Sequence, residues 1–344
     1  MPKTNRRTLF SGAIIFFVFS LLIVSCGTTS SVTPAPETGN EISNQPTPTN
    51  APDRVVLISP GDANPLLLSG ADTLLRELAA GSGLEFEIRN QISQDEITPD
   101  MRVVVFLRKP DNLGSLSASA PNTQFVSLVE EDWNPSENVS VIRLRDDHTA
   151  FIAGYLSAIL APNFRTGALL SSDQPQFNDA FRNGVQYYCG TCSSVVYPLN
   201  SYPAISVQPA DSPPQTWQVA FNEINTNAVN VLYLADAAVS PDLVNAVSSS
   251  DVALIGTTTP PDSAGSKWIA TVYSDGVSPI REIWQDILNG SGGLKINADV
   301  KIMNYQYIQL QEGLAWLSNG KLNLVRKVTS LLRDGLINPL SVIQ

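Results

Sequence analysis

Short apolar runs and segments with helical spacing trade places along most of this chain. Arg54–Ser59 is an apolar run bounded by Pro60-Gly61, and Leu66–Ala80 follows with apolar residues three and four apart. Leu84–Ile88, Arg102–Leu107, Gln124–Leu128 and Val139–Leu144 read as further strands, the second of them carrying Val103-Val104-Val105. Beyond them the pattern predicts a helix at about Thr149–Leu160, a strand at Thr166–Ser171, a helix at Gln176–Tyr188 and a strand at Ser193–Tyr197. A helix near Thr216–Asn225, the strand Asn230–Leu234, a helix near Pro241–Ser248 and the strand Val252–Gly256 come next. Lys267–Tyr273, a helix near Pro279–Leu288 and Val300–Tyr307, a run suited to a hinge or return strand, complete the series.

Strand and helix alternating through short turns predict α/β architecture with parallel sheets. The span from about Asp53 to Gln344 exceeds the usual size of one core, so two Rossmann-like lobes are expected. The first covers 53–145, with about 275–300 returning to it; the second covers 146–274; 301–344 forms a hinge return and closing segment. Open sheets of this kind take ligands at the carboxyl ends of their strands. Two such edges facing each other would enclose a cleft.

The start of the chain follows a different pattern. Lys3, Arg6 and Arg7 precede an apolar run from Ala13 to Phe19, then Leu21-Leu22-Ile23-Val24-Ser25-Cys26. A basic start, a short apolar core and a small residue before the break make a secretory signal, too short for a comfortable membrane span. A cut between Ser25 and Cys26 matches a bacterial lipobox, which makes 1–25 a signal peptide and Cys26 the site of lipidation. An uncleaved anchor helix is the alternative. Both put the bulk of the chain on the extracytoplasmic face of the cell membrane, held there by lipid or by the helix. Residues 26–52 are rich in Ser, Thr and Pro and hold no aromatic residue, so no core can form. As a coil of about 25 residues this tether reaches roughly 25–30 Å.

Charge narrows the function classes. The chain carries −11 at pH 7, and loss of residues 1–25, which hold three basic and no acidic residues, takes it to −14. Such a surface argues against nucleic acid as a partner. With His148 as the single histidine, a Ser-His-Asp triad or a His-based metal site is hard to assemble, so no catalytic residue, metal or cofactor is expected. Apart from Cys26 the chain has Cys189 and Cys192. In an exported protein such a CxxC pair reads as a structural disulfide, and two thiols are too few for a closed zinc site. A thioredoxin-type pair should open a helix, whereas this one follows the helix at 176–188.

Four segments carry a family resemblance. Asn138-Val139-Ser140-Val141, Ala150-Phe151-Ile152-Ala153-Gly154-Tyr155-Leu156-Ser157-Ala158, Thr166-Gly167-Ala168-Leu169-Leu170 and Phe177-Asn178-Asp179-Ala180-Phe181-Arg182-Asn183-Gly184 resemble the central segment of the basic membrane protein (BMP) family. That family comprises lipoprotein substrate-binding components of ABC transporters, several of which bind purine nucleosides. The resemblance implies a periplasmic-binding-protein type 1 fold, a nucleoside-like small molecule as ligand and an ABC permease as partner. Ala153, Gly154, Ala158 and Gly184 are small enough to let their helices press against the sheet.

The ligand-contact features depart from the family. Its Asp and Phe-Asn after the first strand are replaced by Ser59-Pro60-Gly61-Asp62-Ala63-Asn64-Pro65, its Gly-Val-Asp turn reads Gly256-Thr257-Thr258, and its lysine falls near Ser274-Asp275. Phe177 matches the phenylalanine that stacks on the base, while Phe181, four residues on, is expected in the core. Strand-edge candidates for ligand contact are therefore Asp62, Asn64, Asp173, Phe177, Asp236, Thr257 and Thr258. Capping the next helix is the other role open to Asp173. Arg108-Lys109 would attract an anion or be solvated, and His148 lies where the chain crosses between lobes. The expected function is non-enzymatic solute binding for an importer. A ligand sensor or scaffold of the same fold and a thiol oxidoreductase using Cys189 and Cys192 are the rivals.

Overall fold

A computed structural model describes residues 52–305 and 317–341. The signal segment, Cys26 and the tether up to residue 51 lie outside the described residues. Among those described, no helix is long and apolar enough to cross a membrane.

The first lobe is built on β1 (Arg54–Ile58), β2 (Glu85–Arg89), β3 (Met101–Phe106), β4 (Gln124–Val129) and β5 (Val139–Arg143), with α1 (Pro65–Gly81) and α2 (Leu113–Ser119) between them. Strand order is β2-β1-β3-β4-β5, all parallel. Both faces of this sheet are covered at its centre, which is why Val55–Ile58 of β1 and Val103–Phe106 of β3 read as unbroken apolar runs, whereas the edge strand β2 alternates apolar and charged residues. Val55, Leu57, Val103 and Val105 pack with Leu74 and Leu75 of α1. The alternate residues Val56, Ile58, Val104 and Phe106 pack with Leu113 and Leu116 of α2.

The second lobe repeats the plan. It contains α3 (Asp146–Leu160), β6 (Thr166–Ser171), α4 (Pro175–Cys189), β7 (Ala204–Gln208), α5 (Pro214–Asn225), β8 (Val231–Leu234), α6 (Pro241–Ser248), β9 (Ala253–Gly256) and β10 (Trp268–Asp275). Its order, β7-β6-β8-β9-β10, matches that of the first sheet. The chain then returns to the first lobe. There α7 (Ser278–Leu288) buries Ile280, Ile283, Trp284 and Ile287 with α1, and β11 (Lys295–Asn297) pairs parallel with β5. It crosses once more into β12 (Asp299–Asn304), antiparallel to β10. Finally α8 (Asn319–Arg333) packs Val325, Val328 and Leu332 into the core around α3.

Among the described residues three crossings thus join the lobes, at residues 144–145, 276–277 and 298. They are tied to one another: the Ala298 amide donates to the Arg143 carbonyl at 2.8 Å, and the Arg145 amide donates to Ser274 Oγ at 3.0 Å.

The structure departs from the sequence-based expectations at the strand after α4 and at two helix glycines, and it adds the unpredicted helices α2 and α8. Ser193–Tyr197 forms no strand; Ser193 makes one bridge to Ser201, and Val195 and Tyr197 stand 85 % and 86 % exposed. The edge beside β6 is taken instead by β7, and Pro198 and Pro203, which lack a donor N–H, interrupt the intervening segment. Nor do Gly154 and Gly184 press against the sheet. They face each other's helices, so closely that a Cβ on Gly154 would lie 2.1 Å from the Phe181 carbonyl oxygen and one on Gly184 2.0 Å from that of Phe151. Phe181 is fully buried in the core, and Cys189 and Cys192 form a disulfide where α4 ends.

Candidate functional site

In both sheets the chain reverses its winding direction next to the first strand of the lobe, between β1 and β3 and between β6 and β8. At such a switch point adjacent loops leave the sheet on opposite sides and open a crevice at the carboxyl ends. The two crevices face each other across one cleft of about 1060 Å³. The residues following β1, β3, β4, β5, β6, β8 and β9 all reach its walls.

Asp62, Asn64, Asp173, Phe177, Asp236, Thr257 and Thr258 all line this cleft. Their side chains are engaged differently. Asp62 receives Arg108 Nη1 on both carboxylate oxygens, at 3.0 and 2.9 Å, and this contact holds its carboxyl below the usual range. Asn64 Oδ1 accepts from the Leu66 amide at 2.9 Å and caps α1. Asp173 does not cap α4: it accepts from the Ser172 hydroxyl at 3.2 Å, while Pro175, which has no N–H to satisfy, opens the helix and Asn178 Nδ2 donates to the Ser171 carbonyl at 2.9 Å. Phe177, 9 % exposed, stacks on Tyr233 with ring centroids 5.8 Å apart. Thr257 donates its hydroxyl to Asp236, and the Thr258 carbonyl accepts from Thr271 Oγ1 at 2.9 Å.

The Arg108-Lys109 pair is not a free basic patch. Arg108 is held by Asp62, and Lys109 Nζ lies 3.1 Å from Glu131. An anion would have to compete with both carboxylates.

Five further residues on the walls were not singled out from the sequence: Glu130, Asp146, Thr149, Tyr233 and Tyr273. Glu130 follows β4 and Asp146 opens the helix after β5, so the same strand-end rule that found Asp62 would have reached them. Tyr233 lies inside a strand and gave no such signal. Burial pushes the Asp146 carboxyl up to about 6, reinforced by the charges of Glu130, Asp147 and Asp236. Asp236 is open to the cleft, yet it is walled by enough protein that desolvation also raises its carboxyl, against the Thr257 hydrogen bond. Burial and the nearby Asp236 carboxylate drive the Tyr233 phenol far above its ordinary range, so it stays protonated.

His148 sits at the first turn of α3, beside the crossings, and contacts Arg145. Burial and the Arg145 charge lower it to about 4, so it is neutral at physiological pH. Arg145 in turn makes two hydrogen bonds to Asp147, at 2.9 and 2.8 Å. Among the described residues no group of His, Cys, Asp or Glu side chains is placed to hold a metal ion. At the disulfide, Cys192 is 1 % exposed and Cys189 ends a helix, where the dipole opposes a thiolate.

No protein-family model matches the chain, and no curated protein matches its sequence. Solved structures do resemble it. An ABC transporter system solute-binding protein from Conexibacter woesei DSM 14684 is 15% identical with a TM-score of 0.63, over 83% of this chain and 98% of that one. Another from Aeropyrum pernix K1 is 16% identical with a TM-score of 0.56, over 83% and 93%. A transcriptional activator of the comK gene from Bacillus halodurans is 12% identical with a TM-score of 0.60, over 83% and 99%. At these identities the likeness establishes the fold, the two-lobed periplasmic-binding-protein type 1 architecture, and not a ligand.

Proposed function

We propose that this chain is the solute-binding lipoprotein of an ABC importer, tethered through Cys26 at the extracytoplasmic face of the membrane and closing its two lobes on a small molecule without chemical conversion. The observation that carries the reading is the cleft itself, walled by the carboxyl-terminal edges of both sheets and bridged by three hydrogen-bonded crossings. Closure is a hinge motion, and ligand favours the closed state because only there do both lobes touch it. Two of the similar structures are solute-binding proteins of ABC transporter systems, which supports transport.

Ligand contacts are assigned to Asp62 and Asn64 from the first lobe and to Asp173, Phe177, Asp236, Thr257 and Thr258 from the second. The ligand offers a flat or apolar face to the Phe177–Tyr233 stack and polar groups to Asp236 and Thr257. A nucleoside meets that description, and the BMP resemblance favours one. Native mass spectrometry of the purified full chain, followed by small-angle scattering with the solute found, tests the reading. A retained small molecule and a smaller radius of gyration on binding are expected; an empty protein that no solute compacts would end it.

A second reading is a ligand sensor or scaffold that has kept the fold and lost uptake. The replaced nucleoside-contact turns favour it, and so does the transcriptional activator among the similar structures. Restoration of solute uptake by the chain together with a permease separates the two.

A further inference from the structure

The cleft is unevenly charged. Its two cations, Arg108 and Lys109, are already matched by Asp62 and Glu131. Glu130, Asp146, Asp173 and Asp236 remain, and among the described residues none of the four has a Lys or Arg in ion-pair contact. They come from four separate strand ends, after β4, β5, β6 and β8, and line one cavity. Glu130 belongs to the first lobe, while Asp146, which opens α3, Asp173 and Asp236 belong to the second, so closing the cleft removes water from between like charges. Repulsion between them then grows as the local dielectric falls.

Two independent observations point to what relieves it. Thr149, 3 % exposed, belongs to the cleft wall, and its buried Oγ1 has no hydrogen-bond partner. A buried hydroxyl left unpaired is costly and calls for a polar group opposite it. The aromatic rings of Phe177, Tyr233 and Tyr273 share the same cavity, and a ring face attracts a cation as well as a flat apolar body. The carboxylates are not placed to hold a metal ion, which leaves an organic charge.

Building on the reading that this cleft holds a solute, we infer that the solute is a small organic cation, a protonated amine or quaternary ammonium with a flat or apolar body, its charge facing Glu130, Asp146 and Asp236 and its body lying on the Phe177–Tyr233 stack. The raised carboxyl of Asp146 is the mark of a site whose negative charge awaits a partner. A neutral polyol would leave these charges opposed in a closed cavity. An anion would add to them.

The test is calorimetric titration of the full chain in detergent with matched pairs that differ in charge and little in shape: 1-methylnicotinamide against nicotinamide, and choline against 3,3-dimethylbutan-1-ol, with adenosine as the neutral nucleoside. At least one cation is expected to bind ten-fold or more tightly than its neutral partner. Asp236→Asn and Asp146→Asn should each weaken that cation at least ten-fold at unchanged circular dichroism. Binding of adenosine or a neutral partner as tight as that of the cations, or unaffected by both substitutions, would overturn the charge assignment while leaving solute binding intact. If no probe binds, a neutral or anionic solute retained in native mass spectrometry overturns the cation alone; an empty cleft overturns solute binding with it.

Discussion

The two lips of the cleft follow one topological plan and differ in how they treat charge. On the lip after β1 and β3, Asp62 is matched by Arg108 and Lys109 reaches across to Glu131, in side chains largely open to water. On the opposite lip Asp236 has only a threonine hydroxyl, and the wall behind it is the Phe177–Tyr233 stack. Exposed pairs of the first kind contribute about 0–1 kcal/mol and are screened by salt. Partly enclosed carboxylates of the second kind carry an unrelieved desolvation cost. One lip is therefore charge-matched in the free protein, and the other is left with carboxylates that have no cationic partner.

The sharpest way to break the contrast is through the frameworks behind the lips. Gly184→Ala places a methyl where the Phe151 carbonyl lies, forcing α3 and α4 apart, and should destabilise the protein by about 2–4 kcal/mol in denaturant unfolding. The corresponding change in the first lobe, Gly70→Ala, meets nothing nearer than Val277 at 3.7 Å and should leave stability unchanged or raise it by about 0.5–1 kcal/mol. Equal losses at both positions would mean that the helix contact is not the rigid element.

A smaller effect concerns Asp146. Its carboxyl is raised in the folded state, to about 6, by burial and by Glu130, Asp147 and Asp236. The folded protein therefore binds this proton more tightly than the unfolded chain does, and stability falls as pH rises from about 4 to about 6. Asp146→Asn should raise the stability of the ligand-free protein at pH 7 by on the order of 1–2 kcal/mol, with the gain gone below pH 4. Asp62→Asn, on the matched lip, should bring no gain. Thermal melts of both variants at pH 4 and pH 7 decide the matter.

His148 works against Asp146. Its folded value is lowered to about 4 by burial and by Arg145 and Arg143, with Asp147 and Asp299 opposing, so stability is lost as pH falls from 6.5 towards 4. Between pH 6 and 4 the two slopes offset each other in the native protein. Asp146→Asn should expose the falling slope on acidification, and His148→Asn the rising one; a variant with an unchanged profile would refute the assignment.

The smallest expected change is Arg108→Ala. It frees Asp62 on the exposed lip and should alter solute affinity no more than about two-fold at physiological salt, read by calorimetry. A larger loss would make the first lip an equal partner in recognition.

Much of this architecture was legible because both sheets are covered on both faces. Strands such as Val55–Ile58 and Val103–Phe106 are apolar without a break, and the helices between them show 3.6-residue spacing. What failed was the choice between two neighbouring candidates for the strand after α4. Ser193–Tyr197 has the stronger β composition, but the place beside β6 belongs to the milder Ala204–Gln208, and no local feature records which one the sheet accepts. The three-residue β11 is too short to read at all.

The site shows the same division. Strand ends brought seven wall residues into view, because the carboxyl-edge rule depends only on element order. How their charges are spent was hidden. Asp62 and Arg108 are 46 positions apart, and Glu130, Asp146 and Asp236 follow three different strands. The missing partner of Thr149 exists only once the walls are assembled.

The triple connection between the lobes limits how they can move. Two bodies linked by a single strand can swivel, twist and slide. Linked by three strands that are hydrogen-bonded to one another, at Ala298 with Arg143 and at Arg145 with Ser274, they keep essentially one soft degree of freedom. A torsional change in any crossing must be shared by its neighbours. For the closure proposed above, both lips would travel along a fixed arc, and the same side chains would meet at the end of every stroke.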